Sequence, residues 1–313
     1  MKTVLLSQEI CAEARALLEG KVNVILPERP GQEAFEEMLP LADALILRTN
    51  VKLTRAAVGK ADKLQIACRT GAGFDNVDLD ACRERGIRVA NTPDANTTSV
   101  VEHTVAMALA LSKRLAQYDR AAREGNWKIR STYASRELSG KTLGVVGYGR
   151  IGRRVAQTFR TAFGMKVLAY DPFLQNADPS SGETLAANVE DVFRGADIIS
   201  LHCPSLPQTR GMVNESLLRL AKPDLILLNC ARGDVVVEAD LAQALLEGRI
   251  AAAGLDVFED EPLAGDNPLC AMENVLLTPH TAALTREASI KVAVQAVEQA
   301  LIQLDGGTPP YLV

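Results

Sequence analysis

The sequence predicts an α/β protein built from two doubly wound parallel-sheet domains. Short apolar runs alternate with amphipathic segments from one end of the chain to the other, a pattern typical of parallel strands covered by helices. The chain has 313 residues, about twice the usual length of a single domain. A Gly-x-Gly-x-x-Gly motif stands near the middle of the chain, between an apolar run and a helical run.

The first series of strands lies in the first third of the chain. Its predicted members are Thr3–Ser7, Val22–Leu26, Ala44–Arg48, Leu64–Arg69 and Arg88–Asn91. Helical segments are predicted around residues 8–18, 33–41, 54–61 and 79–85. This alternation predicts a small doubly wound unit.

A second series of six strands follows. Its predicted members are Thr142–Gly147, Lys166–Asp171, Asp197–His202, Leu225–Asn229, Ala252–Val257 and Val275–Thr278. One long helix is predicted between the two series, from Ser99 to about Glu124, and a last helix from Thr285 to Leu304. We expect the last helix to return to the first domain, which predicts domains of residues 1–96 plus 284–313 and of residues 97–283.

Composition and charge exclude several classes of function. The net charge is −5 and the pI is near 5.4, with no basic stripe, so we expect neither nucleic acid nor an anionic membrane as a partner. The longest apolar helical run, Thr104–Leu111, is far shorter than the roughly 20 residues that cross a bilayer.

The N-terminus and the cysteines predict the compartment. Gln8 and Glu9 interrupt the first apolar residues before a secretory leader could form. The six cysteines show neither a CxxC pair nor zinc-like spacing, and most stand in apolar strand-like runs. We therefore expect reduced thiols and a cytoplasmic protein.

The glycine-rich motif predicts a dinucleotide site. Gly147 would make the tight turn, Gly149 would let the backbone approach a pyrophosphate, and Gly152 would let the helix pack on the strand. The next strand ends in Asp171, where a carboxylate would accept hydrogen bonds from the adenosine ribose and repel a 2′-phosphate. The cofactor is therefore predicted to be NAD rather than NADP.

Proton transfer needs a general acid, and the chain has three histidines. His103 lies on the long helix and His202 at a strand end, where structural or pocket-lining roles are more common. His280 ends the run VLLTPH on a proline-stiffened turn before small residues, which leaves room for a ligand. We predict His280 as the proton donor; spaced as they are, the three histidines predict no metal site.

Acidic and basic partners follow neighbouring strands. A carboxylate bonded to His280 would favour its imidazolium, and the run GLDVFEDEP offers Glu259, Asp260 and Glu261, which spacing alone does not separate. Arg232 follows the strand LILLN, where a guanidinium could fork onto an α-keto acid. Asp256 is suited to the nicotinamide carboxamide.

In the first domain, RTGAGFDNVD places a glycine-rich turn after a strand. Its backbone amides could hold a carboxylate, although the glycines could equally serve only to close the turn. The predicted substrate-binding residues of this turn are Arg69, Thr70, Gly71, Ala72 and Gly73.

Together these motifs resemble the D-2-hydroxyacid dehydrogenases nearly end to end. The matching segments are RTGAGFDNVD, VANTPDANTTSVVEHTVAMAL, ELSGKTLGVVGYGRIG, NCARGDVVVEADL, GLDVFEDEP and LLTPHTAA. The resemblance implies a catalytic set of Arg232, Glu261 and His280, and it selects Glu261 because that glutamate directly precedes the proline. It also implies a flavodoxin-like substrate domain with a Rossmann NAD-binding domain inserted into it.

The resemblance further implies cofactor contacts, a dimer and a substrate. The implied NAD contacts are Ala72, Arg150, Ile151, Asp171, Cys203, Cys230, Ala231, Arg232, Asp256 and His280. A homodimer would form through the nucleotide domain and residues 97–140. Arg48 matches an arginine that would contact a substrate phosphate.

The expected reaction is therefore hydride transfer between NAD and a small D-2-hydroxy acid, first of all 3-phosphoglycerate, as in serine biosynthesis. A glyoxylate or hydroxypyruvate reductase is the alternative within the class, and an NAD(H)-sensing binding protein is the alternative outside it. Because the sequence ends with GGTPPYLV, we expect no C-terminal regulatory domain and no feedback by serine.

Overall fold

A computed structural model describes residues 1–174 and 182–313. The chain forms two compact units, Met1–Thr97 with Ala283–Val313, and Thr98–Ala282. Each unit is a parallel sheet with helices on both faces, so the predicted fold class is confirmed.

The first unit holds five parallel strands. Its elements are β1 (Thr3–Leu6), α1 (Ala12–Ala16), β2 (Asn23–Ile25), α2 (Gln32–Met38), β3 (Ala44–Leu47), α3 (Arg55–Gly59), β4 (Ile66–Arg69), α4 (Leu79–Glu84), β5 (Arg88–Ala90) and α11 (Arg286–Leu304). The strand order β2-β1-β3-β4-β5 is that of flavodoxin-like folds.

Alternation along the strands gives this sheet two apolar faces. Val4 and Leu6 pack on one face with α1 and α11, whereas Leu5 packs on the other with Phe35 and Leu39. Because successive side chains of a strand point to opposite faces, a sheet covered on both faces needs continuous apolar runs, as these strands have.

The second unit holds seven parallel strands. Its elements are α5 (Thr97–Ser112), α6 (Leu115–Arg123), β6 (Thr142–Val146), α7 (Arg150–Phe163), β7 (Lys166–Tyr170), β8 (Thr184–Leu185), α8 (Val189–Gly195), β9 (Ile198–Leu201), α9 (Glu215–Leu218), β10 (Ile226–Asn229), α10 (Glu238–Leu246), β11 (Ala252–Leu255) and β12 (Val275–Leu277). The order β12-β11-β10-β9-β6-β7-β8 is that of a dinucleotide-binding sheet with one strand added.

The structure corrects two predictions for the second unit. The single helix expected from Ser99 to about Glu124 is instead two helices, α5 and α6. The break occurs because Arg114 adopts a left-handed conformation with φ 54°, and its amide donates to the Leu111 carbonyl at the end of α5. Six strands were expected and seven are present. The strand that was not predicted is β8, in which only Thr184 and Leu185 pair with β7. A run of two residues is too short for hydrophobic periodicity to reveal.

The remaining predicted strands are all present, each shorter than predicted by one or two residues. All six cysteines are free thiols; Cys68, Cys82 and Cys203 are buried, whereas Cys270 is exposed. Among the described residues, no helix combines the length and the apolar character needed to span a bilayer.

Candidate active site

The site residues predicted in the second unit lie along one edge of its sheet. Because every strand pair is parallel, the carboxyl ends of the strands share this edge. In order, Gly147 follows β6, Asp171 follows β7, Cys203 follows β9, Arg232 follows β10, Asp256 follows β11 and His280 follows β12. The chain order reverses between β6 and β9, and in parallel sheets a ligand crevice opens at such a point.

The glycine-rich turn fits a dinucleotide pyrophosphate. Gly147 has φ 91°, and a Cβ there would lie 2.6 Å from the backbone nitrogen of Cys203. A Cβ at Gly152 would lie 2.1 Å from the Gly147 carbonyl oxygen, whereas one at Gly149 would enter open space. The turn therefore needs glycine at its first and third positions and leaves the backbone at Gly149 accessible, directly before the N-terminus of α7.

Asp171 braces this turn. One carboxylate oxygen accepts the Tyr148 amide at 2.8 Å and the other accepts the Phe173 amide at 3.0 Å. A carboxylate has about four lone-pair sites, so it can still accept hydroxyl groups of a ribose. Arg150 and Ile151, also predicted to contact the cofactor, form the first turn of α7.

Cys203, Cys230 and Ala231, predicted to line the cofactor site, lie at the ends of β9 and β10. Burial raises the pKa of the Cys203 thiol to about 11 and that of Cys230 to about 12. Both thiols are therefore protonated at neutral pH and are not nucleophiles. They can line a pocket but cannot act as thiolates.

His280 and Glu261 form a close ion-pair geometry. The His280 Nδ1 lies 2.7 Å from Glu261 Oε2, and Glu261 Oε1 accepts the Phe258 amide at 3.1 Å. Because an ionised carboxylate can only accept, the ring proton lies on Nδ1 and leaves Nε2 for another partner. The His280 side chain is 48% exposed and that of Glu261 is 36% exposed, so the Nε2 atom can exchange a proton with a bound molecule.

The structure shows how the neighbouring acid differs from Glu261. Glu259 exchanges two hydrogen bonds with Glu238: its carboxylate accepts the Glu238 amide at 3.1 Å, and its own amide donates to the Glu238 carboxylate at 2.6 Å. Glu259 thereby caps the start of α10, while Glu261 points to the imidazole. Spacing alone did not separate these residues because the difference depends on where the chain turns.

Arg232 extends from a turn fixed by a buried amide. Asn229 donates to the Arg232 carbonyl at 2.8 Å and accepts the Ala231 amide at 3.0 Å. The next residue, Gly233, lies against the loop that contains Phe258. A Cβ at Gly233 would lie 1.8 Å from the Phe258 carbonyl oxygen. The turn carrying Arg232 is therefore packed directly on the loop that leads to Glu261.

Asp256 is buried and holds the turn that carries His280. Its carboxylate accepts the Thr281 amide at 2.8 Å, the Ala282 amide at 2.9 Å and the Thr278 hydroxyl at 2.6 Å. Its backbone carbonyl accepts the His280 amide at 2.8 Å. Sequence reasoning missed Thr278 and Asn229 as supports, although each directly follows or ends a strand that bears a predicted site residue.

The first unit carries the other predicted residues. The carbonyls of Gly71 and Ala72 accept the Thr92 amide and the Asn91 side chain, at 3.0 Å and 2.7 Å. Gly71 has φ 140°, and a Cβ there would collide with the Arg69 guanidinium, which also donates to the Thr70 carbonyl. Within the described chain, the amides of Ala72 and Gly73 donate no hydrogen bond, so this turn has amides for an anion.

Arg48 follows β3, the strand paired with β4, and its carbonyl accepts the Asn76 side chain at 2.9 Å just beyond that turn. Its amide donates to the Ser7 hydroxyl at 2.9 Å, and its guanidinium donates to the Glu9 carbonyl at 3.3 Å. One such bond leaves most of the five guanidinium donors for another acceptor.

His202 is partly buried, and its imidazole predicts that the protein loses stability in acid. Its Nε2 lies 2.8 Å from the Ser200 hydroxyl, and burial lowers the pKa of the imidazole from 6.5 to about 4. Below pH 6.5 the unfolded chain binds a proton that the folded chain does not, so the free energy of unfolding falls as the pH drops towards 4. At pH 5 the loss is about 2 kcal/mol.

Urea denaturation at pH 7.5 and pH 5 checks this expectation, with His202→Asn as the comparison. The variant should lose less stability than the wild type between the two pH values, because Asn does not titrate. An equal loss in both proteins would show that His202 is not the responsible group.

Among residues 1–174 and 182–313, no group of three or more His, Cys, Asp or Glu side chains is placed to hold a metal ion. At the edge of the second sheet, the structure offers an imidazole paired with a carboxylate, the arginine that follows β10 and a glycine-rich turn that fits a pyrophosphate.

Comparison with known proteins assigns a family to this arrangement. Residues 105–282 match the model of the D-isomer specific 2-hydroxyacid dehydrogenase, NAD binding domain. The D-3-phosphoglycerate dehydrogenase of Mycobacterium bovis is 38% identical over 313 residues, which is 100% of this chain and 59% of that relative. The chain thus spans about three fifths of the length of the curated relative that it matches.

Solved structures agree with the family match. The TT0316 protein of Thermus thermophilus is 33% identical with a TM-score of 0.91, over 99% of both chains. A D-lactate dehydrogenase of Aquifex aeolicus, solved with NAD and lactic acid, is 31% identical with a TM-score of 0.85, over 97% of this chain and 96% of that one.

Proposed function

Because the chain belongs to the D-isomer specific 2-hydroxyacid dehydrogenase family, we propose that it interconverts a small D-2-hydroxy acid and its 2-keto acid with NAD. Its second unit carries the NAD-binding domain of that family. The observation that carries the proposal is the His280–Glu261 pair, 2.7 Å apart, on the same sheet edge as the glycine-rich turn. These observations support a proton donor and a dinucleotide site on one edge of the sheet.

The turn of Gly147, Gly149 and Gly152 would hold the pyrophosphate, and Asp171 the adenosine ribose. NAD, when bound there, supplies or accepts the hydride. Asp256 would bind the nicotinamide carboxamide, and Cys203, Cys230 and Ala231 would line the pocket around it.

His280 moves the proton that accompanies the hydride. In reduction, Nε2–H of the imidazolium donates to the carbonyl oxygen, which becomes a hydroxyl; in oxidation, neutral Nε2 takes the hydroxyl proton. Glu261 accepts the Nδ1 proton throughout, so it fixes the orientation of the ring. This role does not require Glu261 to change its own protonation state.

Arg232 orients the substrate. Its planar guanidinium can donate two parallel hydrogen bonds to the carboxylate and the carbonyl of a 2-keto acid. In the first unit, the amides of Ala72 and Gly73 would take up a carboxylate, and Arg69 and Thr70 would shape that turn.

For the substrate we propose 3-phosphoglycerate, which would place the protein in serine biosynthesis in the cytoplasm. The Mycobacterium bovis relative is named for this substrate, and Arg48 offers the guanidinium that a phosphate requires. The free thiols of the chain suit a reducing compartment.

Arg48→Gln is expected to separate phosphorylated from unphosphorylated substrates. The KM for 3-phosphohydroxypyruvate should rise about tenfold or more, since a charged hydrogen bond contributes about 1.5–3 kcal/mol. The KM for hydroxypyruvate, which has no phosphate, should change less than about twofold. Steady-state kinetics with both keto acids measures this, and equal changes for both would contradict a phosphate role.

A panel of keto acids tests the proposed function. NADH absorbance is followed with 3-phosphohydroxypyruvate, hydroxypyruvate, glyoxylate and pyruvate, and the proposal expects the highest kcat/KM for the first. Preference for glyoxylate or hydroxypyruvate would make the protein a reductase of those acids. NADH binding without turnover of any acid would contradict the enzyme and favour a binding protein that senses NAD(H).

We further propose a homodimer through the second unit. Leu115, Trp127 and Tyr133 are large side chains that are 53%, 69% and 88% exposed, all within residues 97–140. Exposed apolar residues clustered in one segment mark an interaction site. Light scattering should give twice the 33.6 kDa of the chain, and a mass of one chain at micromolar concentration would contradict the dimer.

A further inference from the structure

A chain of three side chains leads from helix α5 to the turn that carries His280. The His103 Nε2 lies 3.0 Å from the Thr278 hydroxyl oxygen, and that hydroxyl donates to Asp256 Oδ1 at 2.6 Å. His103 Nε2 is also 3.7 Å from the same carboxylate oxygen. All three residues belong to the second unit.

The direction of these hydrogen bonds follows from the chemistry of the groups. The Asp256 carboxylate accepts two backbone amides, so it is an acceptor, and the single Thr278 hydroxyl proton points to it. The Thr278 oxygen must then accept from His103, so the His103 ring carries a proton on Nε2. His103 thereby fixes the rotamer in which Thr278 donates to Asp256.

Asp256 in turn holds a strained backbone. His280 has φ 54°, a left-handed conformation that is strained for a non-glycine residue and persists only where its surroundings maintain it. The Asp256 carbonyl accepts the His280 amide, and the Asp256 carboxylate accepts the amides of the next two residues, Thr281 and Ala282. The direction in which the imidazole projects therefore depends on how Asp256 is held.

We propose that His103 is a positioning residue for proton transfer by His280, acting through Thr278 and Asp256. This inference rests on the proposed function. Asp256 is 1% exposed, so it has no solvent to replace a lost donor, and loss of the His103 proton frees Thr278 to rotate. His103 does not exchange a proton with the substrate; it keeps the His280 turn in the geometry that does.

Paired variants test this role. His103→Leu removes the donor at similar volume, and His103→Gln keeps an N–H donor. His103→Leu should lower kcat about tenfold, because the turn that carries His280 is displaced. The KM of the keto acid should change less than about threefold, because the residues that bind the keto acid stay in place. His103→Gln should recover most of kcat.

The same test is made from the other side of the hydrogen bond. Thr278→Val should lower kcat as His103→Leu does, and Thr278→Ser, which keeps the hydroxyl, should not. The kcat of the double variant His103→Leu with Thr278→Val should lie within about twofold of the kcat of the poorer single variant. The two substitutions remove the same hydrogen bond, so their effects should not multiply. Multiplicative losses, or equal losses in the Leu and Gln variants, would overturn the proposal.

Nitrogen-15 NMR of the three histidine rings adds a readout that needs no turnover. His103 should be protonated at Nε2 at pH 7.5, and the His280 ring signals should shift in His103→Leu but not in His103→Gln. Unmoved His280 signals in both variants would overturn the positioning role. Wild-type protein that turns over no keto acid would contradict the proposed function instead, and the NMR result would still decide on His103.

Discussion

His280→Asn is expected to lower kcat for keto-acid reduction about 10²- to 10⁴-fold, the usual contribution of a positioned general acid. Asn suits the test because it tolerates the left-handed backbone that His280 adopts, with φ 54°. The turn should stay in place while the proton donor is lost. NADH absorbance at saturating keto acid measures kcat, and NADH fluorescence measures cofactor affinity.

Cofactor affinity is the control for this variant. It should change little, because the glycine-rich turn lies on other strands of the sheet. Glu261→Gln should be milder, since Gln keeps a hydrogen-bond acceptor for Nδ1, although a neutral amide accepts a weaker bond than a carboxylate. A kcat for His280→Asn within about threefold of the wild type would remove His280 from proton transfer.

Arg232→Gln is expected to lower kcat/KM for the keto acid about 10²- to 10³-fold. Truncating a charged partner of a desolvated hydrogen-bond pair typically costs 2–5 kcal/mol, on the order of this loss. Arg232→Lys should recover only part of it, because an ammonium keeps the charge but lacks the planar fork that matches a carboxylate. Steady-state kinetics with one keto acid compares the three proteins.

Arg194→Gln is the matched control for Arg232. Arg194 is an exposed arginine of the same unit, near the end of α8, whose guanidinium pairs with Asp191 of the same helix at 3.2 Å. Its replacement should leave kcat/KM within about twofold, because exposed ion pairs contribute little. Equal losses in the two glutamine variants would show that the effect of Arg232 is not specific to the site.

Much of the fold was predictable because buried parallel strands have continuous apolar runs in the sequence. The strands found between Thr142 and Leu277 match those runs to within two residues, and only the two-residue β8 was not anticipated. The break at Arg114 could not be read, because apolar residues continue on both sides of it. A left-handed residue other than glycine leaves no reliable mark in one sequence.

The residues of the candidate site differed in how much of the sequence evidence pointed to them. Chemistry and strand ends indicated His280, Arg232 and Asp171, and the structure places all three at one sheet edge. The choice of Glu261 over Glu259 needed the family motif, since contacts such as the capping of α10 by Glu259 arise only after folding.

Residues that hold the predicted site residues in place were the hardest to predict from the sequence. Sequence context favoured a structural or pocket-lining role for His103, because nothing in the sequence places helix α5 beside the Thr278 hydroxyl. Asn229 was equally hidden, although its side chain bonds both sides of the Arg232 turn. Such residues join segments that lie far apart in the chain, so spacing patterns cannot reveal them.

Direct hydride transfer from NADH to a 2-keto acid, giving the D-2-hydroxy acid, is the central claim, and isotope transfer measures it. The protein is incubated with NADH carrying two deuterium atoms at the nicotinamide C4 and with a 2-keto acid that the panel shows to be turned over. We expect the D-2-hydroxy acid with one deuterium on C2, found by chiral chromatography and mass spectrometry. An unlabelled product, or a product of the L configuration, would contradict it.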